Sequence, residues 1–265
     1  FQPASAQGIW TKVSVTGPAA RINPAMAHDG KRGRLVLYGG RSSAASYLSD
    51  TWEWDGSAWA QMNVSGPGSP SGPTMAYDAR SEKIVLYGFA SSQGKTWSWD
   101  GKSWKLMNSS GPSGSPSMVY DGGRGLLVLL ESSDGSAWEW KESAWIKSGS
   151  IHPQPRDGAA ISYDYARRKV LLFGGHVWEN KLAKALGDTW EWDGANWTLV
   201  SPSGAAARTY HDMVYDNVLK RTVLYGGLSR PDEWTLIRYF DTWTWNGQGW
   251  TILATLTPPV RSSHR

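Results

Sequence analysis

Two short segments in the C-terminal half of the sequence carry side chains that could take part in chemistry. Each combines an indole ring with at least one carboxylate, and the first also contains an imidazole. In chain order these side chains are His176, Trp178, Glu179, Asp232, Glu233 and Trp234. An imidazole beside a carboxylate can exchange protons with a substrate, and an indole offers a large flat face to a ligand. The two segments therefore suit either acid–base catalysis or ligand recognition.

Three arginines add a second pattern, because Arg21, Arg156 and Arg208 each stand five residues before a Met or an Ile. Aromatic and ionisable residues follow two of them. The predicted ligand-binding set is Trp178, Trp234, Arg208, Tyr210, His211, His176, Glu179, Asp232, Arg156 and Arg21, with Asp157 and Glu233 beside it. If the protein is an enzyme, the predicted catalytic residues are Glu179, Glu233, His176 and His211. Each arginine alone could instead bond only the carbonyl groups of its own loop.

The composition excludes several classes of function. The chain has no cysteine, so disulfides, thiol catalysis and thiolate metal sites are ruled out. No G-x-S-x-G, H-E-x-x-H or phosphate-binding glycine loop is present, and the five histidines follow no metal-binding spacing. We therefore predict no metal and no cofactor. The net charge of +4 is scattered along the chain, which predicts no nucleic-acid partner, and no apolar run is long enough to span a membrane.

An internal repeat supplies the framework for these residues. A Trp-x-Trp pair recurs five times and is always followed by a further Trp. Two of the pairs stand within Asp-Thr-Trp-x-Trp-Asp-Gly, and two more stand within a variant that differs at one position. The pairs are Trp52 and Trp54, Trp97 and Trp99, Trp138 and Trp140, Trp190 and Trp192, and Trp243 and Trp245. Before each pair come a Met-x-Tyr-Asp-like segment and then an apolar run that usually ends in Gly-Gly. A period of 40–50 residues is typical of propellers and other repeat architectures.

Each repeat is predicted to form four short strands. Strand a is the Met-x-Tyr-Asp segment, strand b is the apolar run, strand c contains the Trp pair, and strand d starts at the last Trp. The paired Trp residues point to one face of the pleat because they are two positions apart. Asp-Gly after strand c predicts a type I′ turn into strand d. One such sheet cannot bury both faces alone, so the copies are predicted to pack around an axis as an all-β propeller.

These repeats resemble the kelch family, and particularly its bacterial D-T-W-E-W-D-G subgroup, over nearly the whole chain. The resemblance implies a kelch-type β-propeller of four-stranded blades, most often a binding platform. Among kelch-like enzymes, the copper oxidases need a cysteine-modified tyrosine, and the nitrile-specifier type needs an E-x-x-x-D-x-x-x-H segment. Neither is found here. The sialic acid mutarotase type needs only a carboxylate and arginines in a pocket, and the sequence is compatible with that.

Five complete repeats favour five blades in a single domain over residues 1–265. The repeats cover approximately 20–64, 65–109, 110–150, 151–202 and 203–256. Trp10–Val15 is similar to a spare strand d, and Arg261–His264 matches the opening of another repeat. One spare strand could close the ring of five blades. The alternative is six blades, one of them incomplete.

Two tryptophans lie outside the repeat frame, whereas the others are predicted to pack between blades. Trp178 and Trp234 occupy the two longest b–c connections, in repeats 4 and 5. In an up-and-down sheet the b–c and d–a connections emerge on the same side, so the arginines share their face. Repeats 4, 5 and 1 are thus predicted to carry a site on this loop face. Alternatively, the two tryptophans fold back as lids over neighbouring blades.

Two functions from different classes follow. The first is a secreted or envelope-associated, non-catalytic binding module that recognises a glycan or a protein through the loop face of repeats 4, 5 and 1. The second is an enzyme of the sugar mutarotase, epimerase or hydrolase kind, with a carboxylate/histidine pair in the central pocket. Ala4-Ser5-Ala6 is similar to a signal-peptidase site, so residues 1–9 are read as a signal-peptide remnant. We expect a monomer that is exported to the periplasm or the extracellular space.

Overall fold

Each repeat folds into a four-stranded antiparallel sheet. The computed structural model describes residues 16–254 except 44–45, 69, 91–92, 150–151 and 202–203. All of its helix-or-strand structure is β-strand, and the five sheets form a five-bladed β-propeller, as the sequence predicts. Within a blade the strands pair in chain order, a to d. The spare strand candidates, Trp10–Val15 and Arg261–His264, lie outside the described residues. No described segment is a helix that could cross a membrane.

Each predicted repeat range contains one blade. Blade 1 consists of β1 (Ala25–Asp29), β2 (Arg34–Tyr38), β3 (Thr51–Trp54) and β4 (Trp59–Met62). Blade 2 consists of β5 (Ser71–Asp78), β6 (Lys83–Ala90), β7 (Gln93–Trp99) and β8 (Trp104–Asn108). Blade 3 consists of β9 (Ser117–Asp121), β10 (Leu126–Leu130), β11 (Ala137–Lys141) and β12 (Ala144–Ser148).

Blades 4 and 5 each carry an added two-stranded hairpin in the b–c connection. Blade 4 consists of β13 (Ala160–Asp164), β14 (Lys169–Phe173), β17 (Thr189–Trp192) and β18 (Trp197–Ser201), with the hairpin β15 (His176–Glu179) and β16 (Leu182–Ala185). Blade 5 consists of β19 (Asp212–Asp216), β20 (Arg221–Tyr225), β23 (Thr242–Trp245) and β24 (Trp250–Ala254), with the hairpin β21 (Leu228–Ser229) and β22 (Ile237–Arg238).

The repeat tryptophans pack between blades, as predicted. Four apolar clusters join blade 1 to 2, 2 to 3, 3 to 4 and 4 to 5. The first Trp of strand d also makes a hydrogen bond to the preceding blade. Trp104 Nε1 donates to Thr51 Oγ1 at 2.9 Å, and Trp145 Nε1 donates to Thr96 Oγ1 at 2.9 Å. The threonine that opens strand c thus anchors the next blade.

Blade 3 lacks this anchor. Its corresponding residue is Ala137, which is fully buried, and Trp197 Nε1 of blade 4 is buried with no hydrogen-bond partner among the described residues. Leaving a buried donor unpaired costs free energy. The sequence difference therefore explains an unpaired indole one blade away.

We predict that Ala137→Thr stabilises the protein. Threonine fills this position in the four other blades, so the pocket suits it, and its hydroxyl can accept from Trp197 Nε1. The free energy of unfolding should rise by about 1 kcal/mol, measured by urea denaturation. The reverse change, Thr96→Ala, strips the acceptor from the buried Trp145 and should cost about 1–3 kcal/mol. A destabilised Ala137→Thr protein would contradict this account.

The turns between strands c and d differ from the type I′ prediction. In blade 1, Trp54 pairs with Trp59, so the loop has four residues, and only Gly56 of these has positive φ. Asp55 Oδ1 accepts the backbone N–H groups of Ser57 and Ala58. The prediction was wrong because the Asp55 side chain accepts the turn's backbone N–H groups, which stabilises a four-residue loop in place of a two-residue turn. Blade 3, which lost Asp-Gly, instead has a two-residue turn with Glu142 and Ser143 both at positive φ.

Candidate functional site

The d–a segments and the b–c connections meet on one face, called here the loop face. Isolated bridges join Ile22 to Arg41, Asp157 to His176 and Thr209 to Leu228. Each bridge ties the segment entering a blade to the start of the b–c connection in that same blade. The predicted shared face is therefore present, and it presents the added hairpins of blades 4 and 5.

The three predicted arginines lie beneath this face. Each makes a two-pronged ion pair with the aspartate that precedes strand c and also donates to a glycine carbonyl at the end of strand b. The pairs are Arg21 with Asp50, Arg156 with Asp188 and Arg208 with Asp241, each with a closest N–O distance of 2.6 Å. The glycine carbonyls belong to Gly39, Gly174 and Gly226. These guanidinium groups are thus bonded within their own blades.

Trp190 joins one of these pairs and so links it to the core. Its Nε1 donates to Asp188 Oδ2 at 2.6 Å. Burial by itself raises the pKa of the Asp188 carboxyl, but the bonds from Arg156 and Trp190 outweigh it, so the pKa lies below its usual value. The aspartate is therefore held ionised and fixed, which suits a structural role.

Three aromatic rings form a cluster on blades 4 and 5, called here the aromatic platform: His176, Trp178 and Tyr210. The His176 ring lies 5.4 Å from the Trp178 ring and 5.7 Å from the Tyr210 ring, between centroids. His176 is buried, whereas Trp178 is 66% exposed and Tyr210 is 58% exposed. Trp178 therefore does not fold back as a lid. The structure unites three predicted residues from two blades.

Backbone contacts between blades 4 and 5 hold the platform. Tyr210 has φ of 55° and its N–H donates to Gly158 O at 2.8 Å. A Cβ added at Gly158 would overlap the Thr209 hydroxyl, so this close approach requires glycine. A non-glycine residue with positive φ persists only where its surroundings enforce it. The backbone at Tyr210 is thus fixed before any ligand arrives.

His176 is fixed as well. Its Nδ1 lies 3.0 Å from Thr209 Oγ1. Burial lowers the pKa of the His176 imidazole, against the opposing effect of Asp157. Burial and Asp157 together raise the pKa of Tyr210. The platform is therefore uncharged at neutral pH and offers aromatic faces to solvent.

A cleft of about 410 Å³ lies between the two added hairpins. Its lining includes Glu179, Lys184, Ser229, Arg230, Ile237 and Tyr239. Glu179 forms an exposed ion pair with Lys184 at 3.0 Å. The Tyr239 ring covers the Arg208 guanidinium at 4.1 Å, and its hydroxyl lies 3.0 Å from Ser229 Oγ. Glu179 and Trp178 are adjacent on β15, so their side chains point to opposite faces of the hairpin. The cleft is lined by the face that carries Glu179 and Lys184, and the aromatic platform lies on the other face.

The remaining predicted residues of blade 5 occupy the tip of its hairpin. Trp234 is 89% exposed. Asp232 Oδ1 accepts the N–H groups of Trp234 and Thr235, and hydrogen bonds from Thr235 and Trp234 lower the Asp232 pKa. Glu233 stands between them and is exposed. No contact recorded for the described residues joins this tip to the aromatic platform.

The four predicted catalytic residues do not converge. Glu179 pairs with Lys184, Glu233 is exposed at the hairpin tip, and His176 faces Thr209. His211 is buried against Phe173, and neither ring nitrogen has a hydrogen-bond partner among the residues that the structure describes. Burial, aided by Arg208, lowers its pKa to about 3. No hydrogen bond or ion pair recorded for the described part of the chain links any two of the four. The described residues also contain no cluster of three or more metal-binding side chains.

Several residues of this region were absent from the sequence prediction. Thr209, Gly158, Lys184 and Tyr239 contribute through contacts between blades or hairpins. One signal was readable: Asn180-Lys181 between two alternating segments is a two-residue turn, and both residues have positive φ. That pattern is typical of a type I′ hairpin, so the long connection of blade 4 could have been predicted as β15–β16.

Comparisons with known proteins bear on the fold. No family model matches the chain, and no curated protein matches it. Among solved structures, that of YjhT is similar, with a TM-score of 0.68 and 12% identity over 88% of this chain and 84% of that one. At this identity the likeness concerns architecture alone. By fold, the chain is a β-propeller.

Proposed function

We propose that this chain is an exported kelch-type propeller that acts as a non-catalytic binding module and recognises a glycan through the aromatic platform. The observation that carries the proposal is the pair of exposed rings, Trp178 and Tyr210, held around buried His176. The five Trp-x-Trp repeats support the kelch type. The Ala4-Ser5-Ala6 sequence supports export.

The platform suits a sugar in shape and polarity. Indole and phenol rings pack against the apolar face of a pyranose, while nearby polar groups bond its hydroxyls. Asp157 is such a group, because its charge acts on both His176 and Tyr210. Because His176, which contacts both exposed rings, is buried and hydrogen-bonded, the platform is partly ordered in the free protein and loses less side-chain entropy on binding.

Dispersal of the candidate acids and bases favours binding over catalysis. A general acid or base must stand within hydrogen-bond reach of its target proton. Glu179 and His176 project from the same strand, but each already has a partner, Lys184 and Thr209 respectively. A glycan needs no proton transfer from these groups, so their separation is compatible with recognition.

We expect Trp178→Ala to abolish most glycan binding. Losing one stacked ring should weaken binding at least about tenfold, which corresponds to about 1.4 kcal/mol. The measurement is a glycan-array screen of the parent protein, followed by titration calorimetry with the best glycan. Trp234→Ala, tested alongside, reports whether the blade 5 hairpin contributes.

Tyr47→Ala is the matched control. Tyr47 is also an exposed aromatic residue in a b–c connection of the loop face, but it belongs to blade 1. Its removal should leave binding unchanged. If no glycan binds the parent, or if Trp178→Ala binds as well as the parent does, the proposal fails.

A further inference from the structure

A carboxylate beside the aromatic platform has no ion-pair partner among the residues that the structure describes. Asp157 is half-buried, and within the same part of the chain its side-chain oxygens accept no recorded hydrogen bond. The loop-face carboxylates of Asp188 and Asp241, by contrast, are each paired with an arginine. A partly desolvated charge without a partner is unfavourable, so Asp157 suits a ligand of opposite charge.

The backbone directs this carboxylate to the face of the blade 4 hairpin that carries the platform. Asp157 and His176 form an isolated bridge, with each backbone N–H donating to the other's carbonyl at 3.0 and 2.8 Å. Side chains of directly opposed residues in antiparallel strands lie on the same face. Trp178 shares that face because it is two positions after His176 in β15. The carboxylate and the indole therefore stand on one side of the hairpin.

The exposed ring of Trp178 is left open by its neighbours. Its partner across the hairpin is Ala183, whose side chain is too short to cover an indole. The cation–π contacts recorded for the described residues lie elsewhere, at Trp245 and Tyr239. The faces of Trp178 and Tyr210 are therefore available to a cation from a ligand.

The charge around the platform is negative. Burial raises the pKa of Tyr210, and the Asp157 charge adds to this effect. Burial lowers the pKa of His176 against the opposing effect of the same charge, so His176 adds no positive charge at neutral pH. Aromatic ring faces are themselves electronegative. The carboxylate and the rings thus favour a cation together.

We propose that the glycan bound by the platform carries a protonated amino group, as a 2-amino sugar does, and that this group contacts the Asp157 carboxylate and the faces of Trp178 and Tyr210. The inference rests on the proposed glycan binding and narrows it to one class of sugar. An ammonium group is attracted both by a carboxylate and by aromatic faces. An acetamido group carries no charge for either to attract, and a carboxylate-bearing sugar is repelled by Asp157.

The overall charge of the protein works against such a ligand. The chain has a net charge of +4 at pH 7, so long-range electrostatics repel a cationic glycan. A preference for the charged form of a sugar must therefore come from groups at the binding site.

The test compares two probes that differ only in N-acetylation, the β-1,4-linked hexamers of glucosamine and of N-acetylglucosamine. Each is titrated by calorimetry at pH 6, where the glucosamine amines are protonated. The parent protein should bind the amine hexamer about tenfold more tightly, and this advantage should shrink as sodium chloride is added. Asp157→Asn should lower the affinity for the amine hexamer to that for the acetylated one, whose own affinity stays unchanged. Trp178→Ala should weaken the binding of both.

Asp134→Asn is the matched control for the loss of charge. Asp134 is a carboxylate in the b–c connection of blade 3, on the same loop face, and its removal should leave the preference for the amine unchanged. Asp157→Asn retains the backbone bridge to His176, so its midpoint of urea unfolding should equal that of the parent.

The outcomes separate this inference from the proposed function. Equal affinity of the parent for the two hexamers, no binding of the amine hexamer, or a preference that survives in Asp157→Asn overturns the amino-sugar inference. The proposed function still stands in these cases if another glycan binds and Trp178→Ala weakens it. If the parent binds neither hexamer and no glycan on the array, both fail.

Discussion

Replacing Arg208 by alanine is expected to lower the free energy of unfolding by about 3–5 kcal/mol, the usual cost of removing one partner from a buried ion pair. The Arg208 side chain is fully buried, bonds both oxygens of Asp241 and donates to Gly226 O. Without it, the Asp241 carboxylate keeps only the Trp243 indole bond at 2.7 Å. Urea denaturation followed by tryptophan fluorescence measures the loss.

Arg230→Ala is the control, because Arg230 is exposed on the same face and surface substitutions change stability by less than about 0.5 kcal/mol. The double variant Arg208→Ala/Asp241→Ala should lose less than the sum of the two single variants, since neither charge is then stranded. A loss below about 1 kcal/mol for Arg208→Ala would contradict the structural role assigned to this pair.

Blade 3 shows that the segment entering a blade can be bonded to the b–c connection without an arginine. Ser113 stands in its place, and Glu131 accepts from the Ser113 N–H and hydroxyl and from Trp138 Nε1. In blade 3 the shorter donor Ser113 is thus matched by the longer side chain of Glu131, which also accepts the hydrogen bond from Trp138. The arginine is therefore needed because of the aspartate beside it, and the expected loss reflects the stranded charge.

The propeller was predictable because each repeat contains the sequence patterns of all four strands of a blade. The Trp pairs, the apolar runs and the Met-x-Tyr-Asp segments recur in register, and strands of the predicted types lie at these positions. A period of this kind indicates stacking of equivalent sheets. An alignment of the blades also explains why Trp197 Nε1 lacks a hydrogen-bond acceptor among the described residues, because Ala137 stands where the other blades have threonine.

The candidate site was only partly predictable. Trp178 was singled out because it lies outside the repeat frame, and His176 because it belongs to the same b–c connection. Tyr210 was included because it follows Arg208, and the three rings do come together. Their contacts depend on Gly158 and Thr209, which meet across two blades. Sequence spacing carries no information about such contacts between repeats. Loop length drew attention to Trp234, but the path of the hairpin decides whether it reaches the platform.

The role of the three arginines was harder to predict. Their regular spacing is compatible both with ligand binding and with hydrogen bonds inside their own loops. The three arginines stand at the same distance before strand a, which indicates that they occupy equivalent positions in their blades. The Asp of Asp-Thr-Trp occurs in the same three repeats. Repeats 1, 4 and 5 have both residues, whereas repeat 3 has neither. That joint occurrence within one chain predicts an ion pair, as in Arg156 with Asp188.

A second large effect is expected from His211, whose burial should make the protein acid-sensitive. The imidazole pKa is lowered from 6.5 to about 3 in the folded protein. Below pH 6.5 the His211 imidazole takes up a proton in the unfolded chain but not in the folded one. The free energy of unfolding therefore falls as the pH drops towards 3. Between pH 8 and pH 5 the loss from this residue is about 2 kcal/mol.

His211→Ala should remove this part of the pH dependence. Alanine is the residue at the corresponding position of blade 4, Ala159, so the backbone tolerates it. Urea midpoints at pH 8 and pH 5 make the comparison, and pH 5 lies above the range in which aspartates such as Asp241, whose pKa is lowered, take up protons.

The contrast with an exposed histidine separates burial from charge. His152→Ala removes an exposed imidazole and should leave the difference between the two pH values as in the parent. His211→Ala should lose some stability at both pH values, because contact with Phe173 is removed, yet its midpoints should lie closer together. Equal pH dependence in the parent and the His211→Ala protein would mean that the folded protein accepts a proton at His211. The ring would then have to reach solvent or a partner, and the packing between blades 4 and 5 would be looser than the contact with Phe173 implies.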